Sequence, residues 1–193
     1  TNFENNLATI RRGTGDRNFS SASSYATGNG TVFPASTGVW FMATADLNGD
    51  DQQDLVTTNI RHDFISVLLG DGEGGFGAPT IVDVGPAGPT SPSHQVGAYE
   101  VVAEDFDDDG DEDVAVVVKG GDLVRILEND GSGALSVANS YSVGDSPRGM
   151  TTADFNNDGR PDLAVTNEVD DSFSVLLGNG DGTFATPVHT TVA

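Results

Sequence analysis

The chain has 193 residues, with 30 acidic and 8 basic side chains, a net charge of −22 and no cysteine. That length suits one domain or one compact array. The charge argues against nucleic acid and anionic membrane surfaces as partners. The missing cysteine excludes a disulfide framework and a thiol nucleophile, and no apolar run approaches the ~20 residues a membrane span needs.

In chain order, the first apolar stretches are short, at 7–10 and 19–27. Four follow at 39–45, 55–60, 64–69 and 76–84, four more at 99–103, 114–119, 124–127 and 135–143, and four more at 149–153, 163–167, 173–177 and 184–192. Val, Ile and Thr dominate these stretches, and Gly, Asn and Asp punctuate them, which predicts strands. No stretch carries a sustained helical period. The Pro-rich segment 85–97, GPAGPTSPSHQVG, reads as a loop inserted between two strand groups. Asn18 and Asn29 each open a glycosylation sequon.

Two landmarks repeat in phase. The first is an acidic loop: DLNGDDQQD at 46–54, DFDDDGDED at 105–113 and DFNNDGRPD at 154–162. The second is a glycine-rich turn ending on an apolar residue: 13–19, 70–76, 129–135 and 178–184, closing on Phe19, Phe76, Leu135 and Phe184. Between these closing residues lie 57, 59 and 49 positions, and the acidic loops step by 59 and then 49. One repeating unit therefore contains both landmarks and four strands, the pattern of a propeller blade. The expected fold is all-β, a single β-propeller-type domain of four-stranded antiparallel blades. Its divisions are an outer half blade with linker at 1–37, a blade with the Pro-rich insertion at 38–96, and blades at 97–145 and 146–193. Three complete blades and a half blade could form a thin four-bladed ring. Because Thr1 starts in mid-pattern, the terminus reads as mature, processed or truncated, and the missing inner strands raise two expectations: completion by another chain, or a fragment.

In each acidic loop, oxygen side chains stand at positions 1, 3, 5 and 9. Gly110 and Gly159 stand at position 6, where a hard-cation loop turns sharply. Asp51 stands there in the first loop; it tolerates a left-handed backbone at some cost, so that site is expected to be weaker. An EF-hand would need Glu at position 12, where this chain has Thr57, Val116 and Val165. The histidines His62, His94 and His189 share no motif, and no nucleophile elbow or phosphate loop is present. Trp40 and Phe41, at the start of an inner strand, read as core.

These loops, together with the LLGNGDGTF turn at 176–184, resemble the FG-GAP/VCBS repeats of integrin-alpha-like β-propellers. The resemblance implies a Ca²⁺ loop between the first two strands of each blade, about three ions in all. Carried over by position, the ligands are Asp46, Asn48, Asp50, Asp54 and the Gln52 carbonyl; Asp105, Asp107, Asp109, Asp113 and the Asp111 carbonyl; and Asp154, Asn156, Asp158, Asp162 and the Arg160 carbonyl. No catalytic residue is expected, and the chain is not expected to be an enzyme. The leading expectation is a secreted or cell-surface, calcium-stabilised structural or adhesion module. Its partners would be other protein chains, including copies of itself in a filament completed by neighbouring strands or blades. The alternative is a ligand- or glycan-binding propeller domain of a larger surface protein. A polysaccharide-active enzyme ranks last.

Overall fold

The computed structural model describes residues 7–11, 13, 20–27, 39–60, 62–85 and 97–192. Most of the first glycine turn (14–19), both sequons and most of the Pro-rich segment lie outside these residues. Among the described residues the regular elements are fourteen strands and one 3₁₀ turn, Lys119–Gly121. A two-stranded sheet pairs β1 (Leu7–Ile10) with β2 (Ser23–Ala26). Three four-stranded antiparallel meanders follow. Blade one is β3 (Val39–Ala45), β4 (Asp54–Asn59), β5 (Phe64–Leu68) and β6 (Thr80–Asp83). Blade two is β7 (Ala98–Glu104), β8 (Asp113–Val118), β9 (Leu123–Asn129) and β10 (Leu135–Ser142). Blade three is β11 (Pro147–Ala153), β12 (Asp162–Asn167), β13 (Ser172–Leu176) and β14 (Val188–Thr191).

Two expected strands are shorter than the sequence suggests, for a shared reason. Phe76 and Phe184 make only isolated bridges, to Gly70 and Gly178, and pairing resumes at β6 and β14. Pro79 and Pro187 intervene; proline has no N–H for the ladder. The corresponding stretch of blade two has no proline, and β10 runs unbroken from Leu135.

Alternation along the strands places the blades side by side. On β8, Val114, Val116 and Val118 face blade one, where they join Val56, Ile65 and Val67 in one cluster. Ala115 and Val117, with Val124 and Ile126 of β9, face blade three and join Leu163, Val165 and Leu176. β4 and β8 are buried at every position, as strands covered on both faces must be. Leu55 and Leu68 turn the other way, onto Ala8, Ile10 and Tyr25 of the two-stranded sheet. β7 packs between β3 and β11, so the first strand of each blade lies innermost.

Each innermost strand carries a bulge at the same place, between Val39 and Met42, Ala98 and Val101, and Pro147 and Met150. A bulge leaves an N–H off the ladder. Thr58 Oγ1 accepts that of Phe41 (3.1 Å), and Thr166 Oγ1 that of Gly149 (3.0 Å). In blade two the bulge holds Tyr99, 1 % exposed, in contact with Trp40 and Phe41 and beneath Lys119 and Arg148. Both cations pair with Glu168 (2.7 and 2.9 Å), tying blades two and three together at the end of the strands opposite the acidic loops. Trp40 and Phe41 pack against the core between blades two and three, in line with the sequence reading.

Two outcomes follow for stability. Ile126→Ala removes a side chain 1 % exposed between two blades and should cost about 2–5 kcal/mol in urea denaturation, whereas Val188→Ala, 62 % exposed, should be near neutral. Burial pushes the Glu100 carboxyl up to about 7, against the opposing pull of the Val101 N–H. Its contribution to stability is therefore greatest below its unfolded-state pKa and declines as pH rises toward 7. The Tm advantage of Glu100→Gln over the wild type, measured in EDTA, should grow between about pH 5 and about pH 7.5.

Candidate metal centre

The three acidic loops join the innermost strand of each blade to the next strand and close by one repeated hydrogen-bond plan. Position 1 accepts from the far side of the turn. Asp46 takes the N–H groups of Asp50 (3.1 Å) and Asp51 (2.7 Å), Asp105 those of Asp108 (2.7 Å) and Gly110 (3.0 Å), and Asp154 those of Asp158 (3.1 Å) and Gly159 (2.9 Å). Position 3 accepts the N–H of position 5, from Asp50 to Asn48, Asp109 to Asp107, and Asp158 to Asn156. Position 5 accepts the N–H of position 7, from Gln52 to Asp50, Asp111 to Asp109, and Arg160 to Asp158. Each acid thus bends the chain around the space where the side-chain oxygens converge.

The turn needs left-handed residues at two positions. Position 6 has φ 62° at Asp51, 97° at Gly110 and 84° at Gly159. Asp51 therefore adopts the conformation its place in the pattern demands. Position 4 is also left-handed, with φ 67° at Gly49, 63° at Asp108 and 60° at Asn157. Sequence reasoning missed this second requirement. Its signal was visible, because Gly, Asp and Asn are the residues that tolerate this region.

Position 9 differs from the rest. Asp54, Asp113 and Asp162 are 0–2 % exposed. One oxygen of each reaches the glycine turn: Asp54 accepts from Gly70 (2.7 Å), Asp113 from Asn129 (2.9 Å) and Asp162 from Gly178 (2.8 Å). Asp54 and Asp162 also accept from position 2, the N–H groups of Leu47 (3.0 Å) and Phe155 (2.9 Å), and Asp113 accepts that of Phe106. The in-phase spacing of the two landmarks is thus a direct contact between them. Glycine at 70 and 178 is required there, since a Cβ would collide with the carbonyl oxygens of Gln53 and Pro161.

Electrostatically, the loops concentrate charge against burial. Burial pushes the Asp113 carboxyl up to about 6, and raises Asp54 and Asp107, with neighbouring aspartates adding to each. The Gly159 N–H holds Asp154 below the usual carboxylate range. Asp105, Asp107 and Asp109 bring carboxylate oxygens within 4.8 Å of one another and could hold a metal ion. Asn48 and Asn156 replace Asp107 in the other two loops, and each donates from Nδ2 to the position-5 acid (3.1 and 2.9 Å). The donor set is oxygen only, which fits a hard cation.

The plan separates two roles for the acids. Asp162→Ala would strand the N–H groups of Phe155 and Gly178 and should lose about 2–4 kcal/mol even in EDTA. Asp158→Ala, at an exposed position accepting the Arg160 N–H, should lose much less in EDTA. Urea denaturation of both variants in chelator checks this.

Among known proteins, the model for an FG-GAP-like repeat matches residues 105–165 and 154–193. No curated protein matches the sequence. Among solved structures, the chain is similar to an Agrocybe aegerita lectin, described as recognising non-reducing terminal N-acetylglucosamine. Identity is 23 % and the TM-score 0.64, over 98 % of this chain and 47 % of that one. It is also similar to a protein from Lactobacillus plantarum, with 16 % identity and a TM-score of 0.63 over 89 % and 46 % of the two chains. A third is BBS1N in complex with ARL6DN, with 12 % identity and a TM-score of 0.61 over 98 % and 51 %. The chain spans about half the length of these structures. Identities this low speak for the fold, which is that of a β-propeller. Among the described residues no helix is long and apolar enough to cross a membrane. The chain is a β-propeller-type protein whose residues 105–165 and 154–193 match the FG-GAP-like repeat.

Proposed function

We propose that this chain is a calcium-stabilised propeller module that works outside cells by binding other protein chains, copies of itself included. The observation that carries the calcium reading is the threefold repetition of one oxygen-lined turn. In loop two the carboxylate oxygens of Asp105, Asp107 and Asp109 lie within 4.8 Å of one another, and like charges this close repel or take up protons unless a cation offsets them; the other two loops repeat the same hydrogen-bond plan with Asn at position 3. Asp105, Asp107, Asp109 and Asp113 would hold the ion in the second loop, with the Asp111 carbonyl. Asp46, Asn48, Asp50, Asp54 and Gln52 would do so in the first, and Asp154, Asn156, Asp158, Asp162 and Arg160 in the third. The ion's contribution is charge neutralisation and cross-linking of two strands; no reaction is assigned to it. Calcium-rich surroundings outside cells suit such sites.

The partner reading draws on the free face of blade three. Val56, Thr58, Ile65 and Val67 of blade one, and Ala115, Val117, Val124 and Ile126 of blade two, are buried beneath the blade that follows. Their register equivalents in blade three, Ala164, Thr166, Phe173 and Val175, are half-buried or exposed, and Val188 beside them is 62 % exposed. A face patterned for blade packing suits another protein surface.

A second reading, glycan binding, has its own support. A cleft of about 620 Å³ is lined by Val192 and by the polar residues Arg148, Thr166, Asn167, Glu168, Asp171 and Ser172. Such a set of hydroxyl, amide and charged groups suits a polyol, and a similar fold belongs to the N-acetylglucosamine-recognising lectin.

Chelation should lower Tm sharply relative to millimolar calcium, and an unchanged melt in EDTA would overturn the calcium reading. Sedimentation velocity in the same two buffers separates the partner readings. Large species in calcium that dissociate in EDTA support self-association, whereas a compact monomer with affinity on a carbohydrate array supports the glycan reading.

A further inference from the structure

Among the described residues, the loops of blades one and two are joined by two side-chain hydrogen bonds that have no counterpart at the third loop. Asn129 opens the glycine turn of blade two, at the position held by Gly70 and Gly178 in the other blades. It is 3 % exposed. Its backbone N–H donates to Asp113 Oδ1 (2.9 Å), as those glycines donate to Asp54 and Asp162. Its side chain does what a glycine cannot. Nδ2 donates to Glu112 O (3.0 Å) within its own loop and to Leu47 O (2.9 Å) in the loop of blade one. The Leu47 N–H in turn donates to Asp54 Oδ2 (3.0 Å). A second contact runs alongside, for Glu112 Oε2 accepts the Asp46 N–H (3.0 Å).

Asn129 thus meets Asp113 through its backbone N–H and the Leu47 peptide of loop one through its side chain, while the Glu112 side chain meets the backbone of Asp46. Between blades two and three the corresponding contact is plainer. The Gly182 N–H donates to Phe106 O (3.0 Å), and Pro161 stands where Glu112 stands in blade two. Loop one is also the loop with Asp51 rather than glycine at position 6. Each loop holds one non-glycine residue in the left-handed region, Asp51, Asp108 or Asn157, so the three turns differ in which position carries it.

We propose that Asn129, with Glu112, is a positioning residue coupling the first two loops, so that a cation in loop two pre-orders loop one and raises its affinity, while loop three binds independently. This rests on the reading of the loops as calcium sites. A rigid hydrogen-bonded relay between two sites is a physical route for such coupling, and coupling in binding is reciprocal.

Each loop carries a glycine amide that can report on it in a ¹⁵N NMR calcium titration: Gly49 in loop one, Gly110 in loop two and Gly159 in loop three. In the wild type, Gly49 and Gly110 should titrate together. In Asn129→Gly, which installs the residue that blades one and three use, the Gly49 midpoint should move to roughly fivefold or more higher calcium, the lower end of typical coupling, while Gly159 stays in place. The coupling requires that Asp109→Asn weaken the Gly49 response and that Asp158→Asn leave it unchanged, and reciprocity requires that Asp50→Asn weaken the Gly110 response. Where Asn129→Gly does not fold, Glu112→Ala, at a half-buried position, interrupts the parallel contact to Asp46. An unmoved Gly49 midpoint, or equal shifts at all three glycines, would overturn the coupling while leaving the calcium reading intact. Wild-type glycine amides that do not respond to calcium at all would overturn the calcium reading, and the coupling with it.

Discussion

The structure depends on a buried carboxylate at the ninth position of each acidic loop. Asp54, Asp113 and Asp162 sit where burial disfavours charge, yet each collects N–H groups from two segments far apart in sequence, its own loop and the glycine turn sixteen residues on. Hydrogen bonds to ionised acceptors are stronger than neutral ones, and backbone N–H groups buried without partners would be costly. That contact fixes the glycine turn against the loop and holds the start of the second strand. The outer strands then follow from the turn. Removing the acid would leave no other group in place to satisfy those donors.

From that anchor, the packing follows by alternation. A strand presents successive side chains to opposite faces, so an unbroken run such as Val114–Val118 supplies both neighbours of its blade at once. This explains why the second strands of blades one and two are buried on both faces, and why Thr58 in blade one and Thr166 in blade three are tolerated. Each hydroxyl takes up the N–H that a bulge leaves unpaired. Val117 holds the same register position in blade two and is as fully buried as Thr58.

The two ends of the strands carry opposite chemistry. At the loop end, acids converge and like charges press on one another, a configuration that a bound cation relieves. At the other end, Lys119 and Arg148 cover the Tyr99 ring and share Glu168, so opposite charges are already paired by the protein itself. A chain with only eight basic residues thus places two of them where they join adjacent blades.

The repeated pair of landmarks, with period-2 strands between them, was enough to read a propeller of four-stranded blades from the sequence. Each blade is built from local meander contacts, and local contacts write their periodicity directly into the chain. The acidic positions were legible for the same reason, because the turn closes on itself within nine residues. Pro79 and Pro187 were legible in principle, and they shorten the last strands of blades one and three. What the tertiary structure alone decided lies between blades. The relay from Asn129 to Leu47 spans 82 positions, and Glu112 reaches Asp46 across 66. No periodicity links such pairs; only the angle at which one sheet packs on the next brings them together. The division of the aspartates into buried anchors at position 9 and half-buried or exposed acids at positions 1 to 5 is tertiary too, since burial is a property of neighbouring blades and not of the nine residues of the loop.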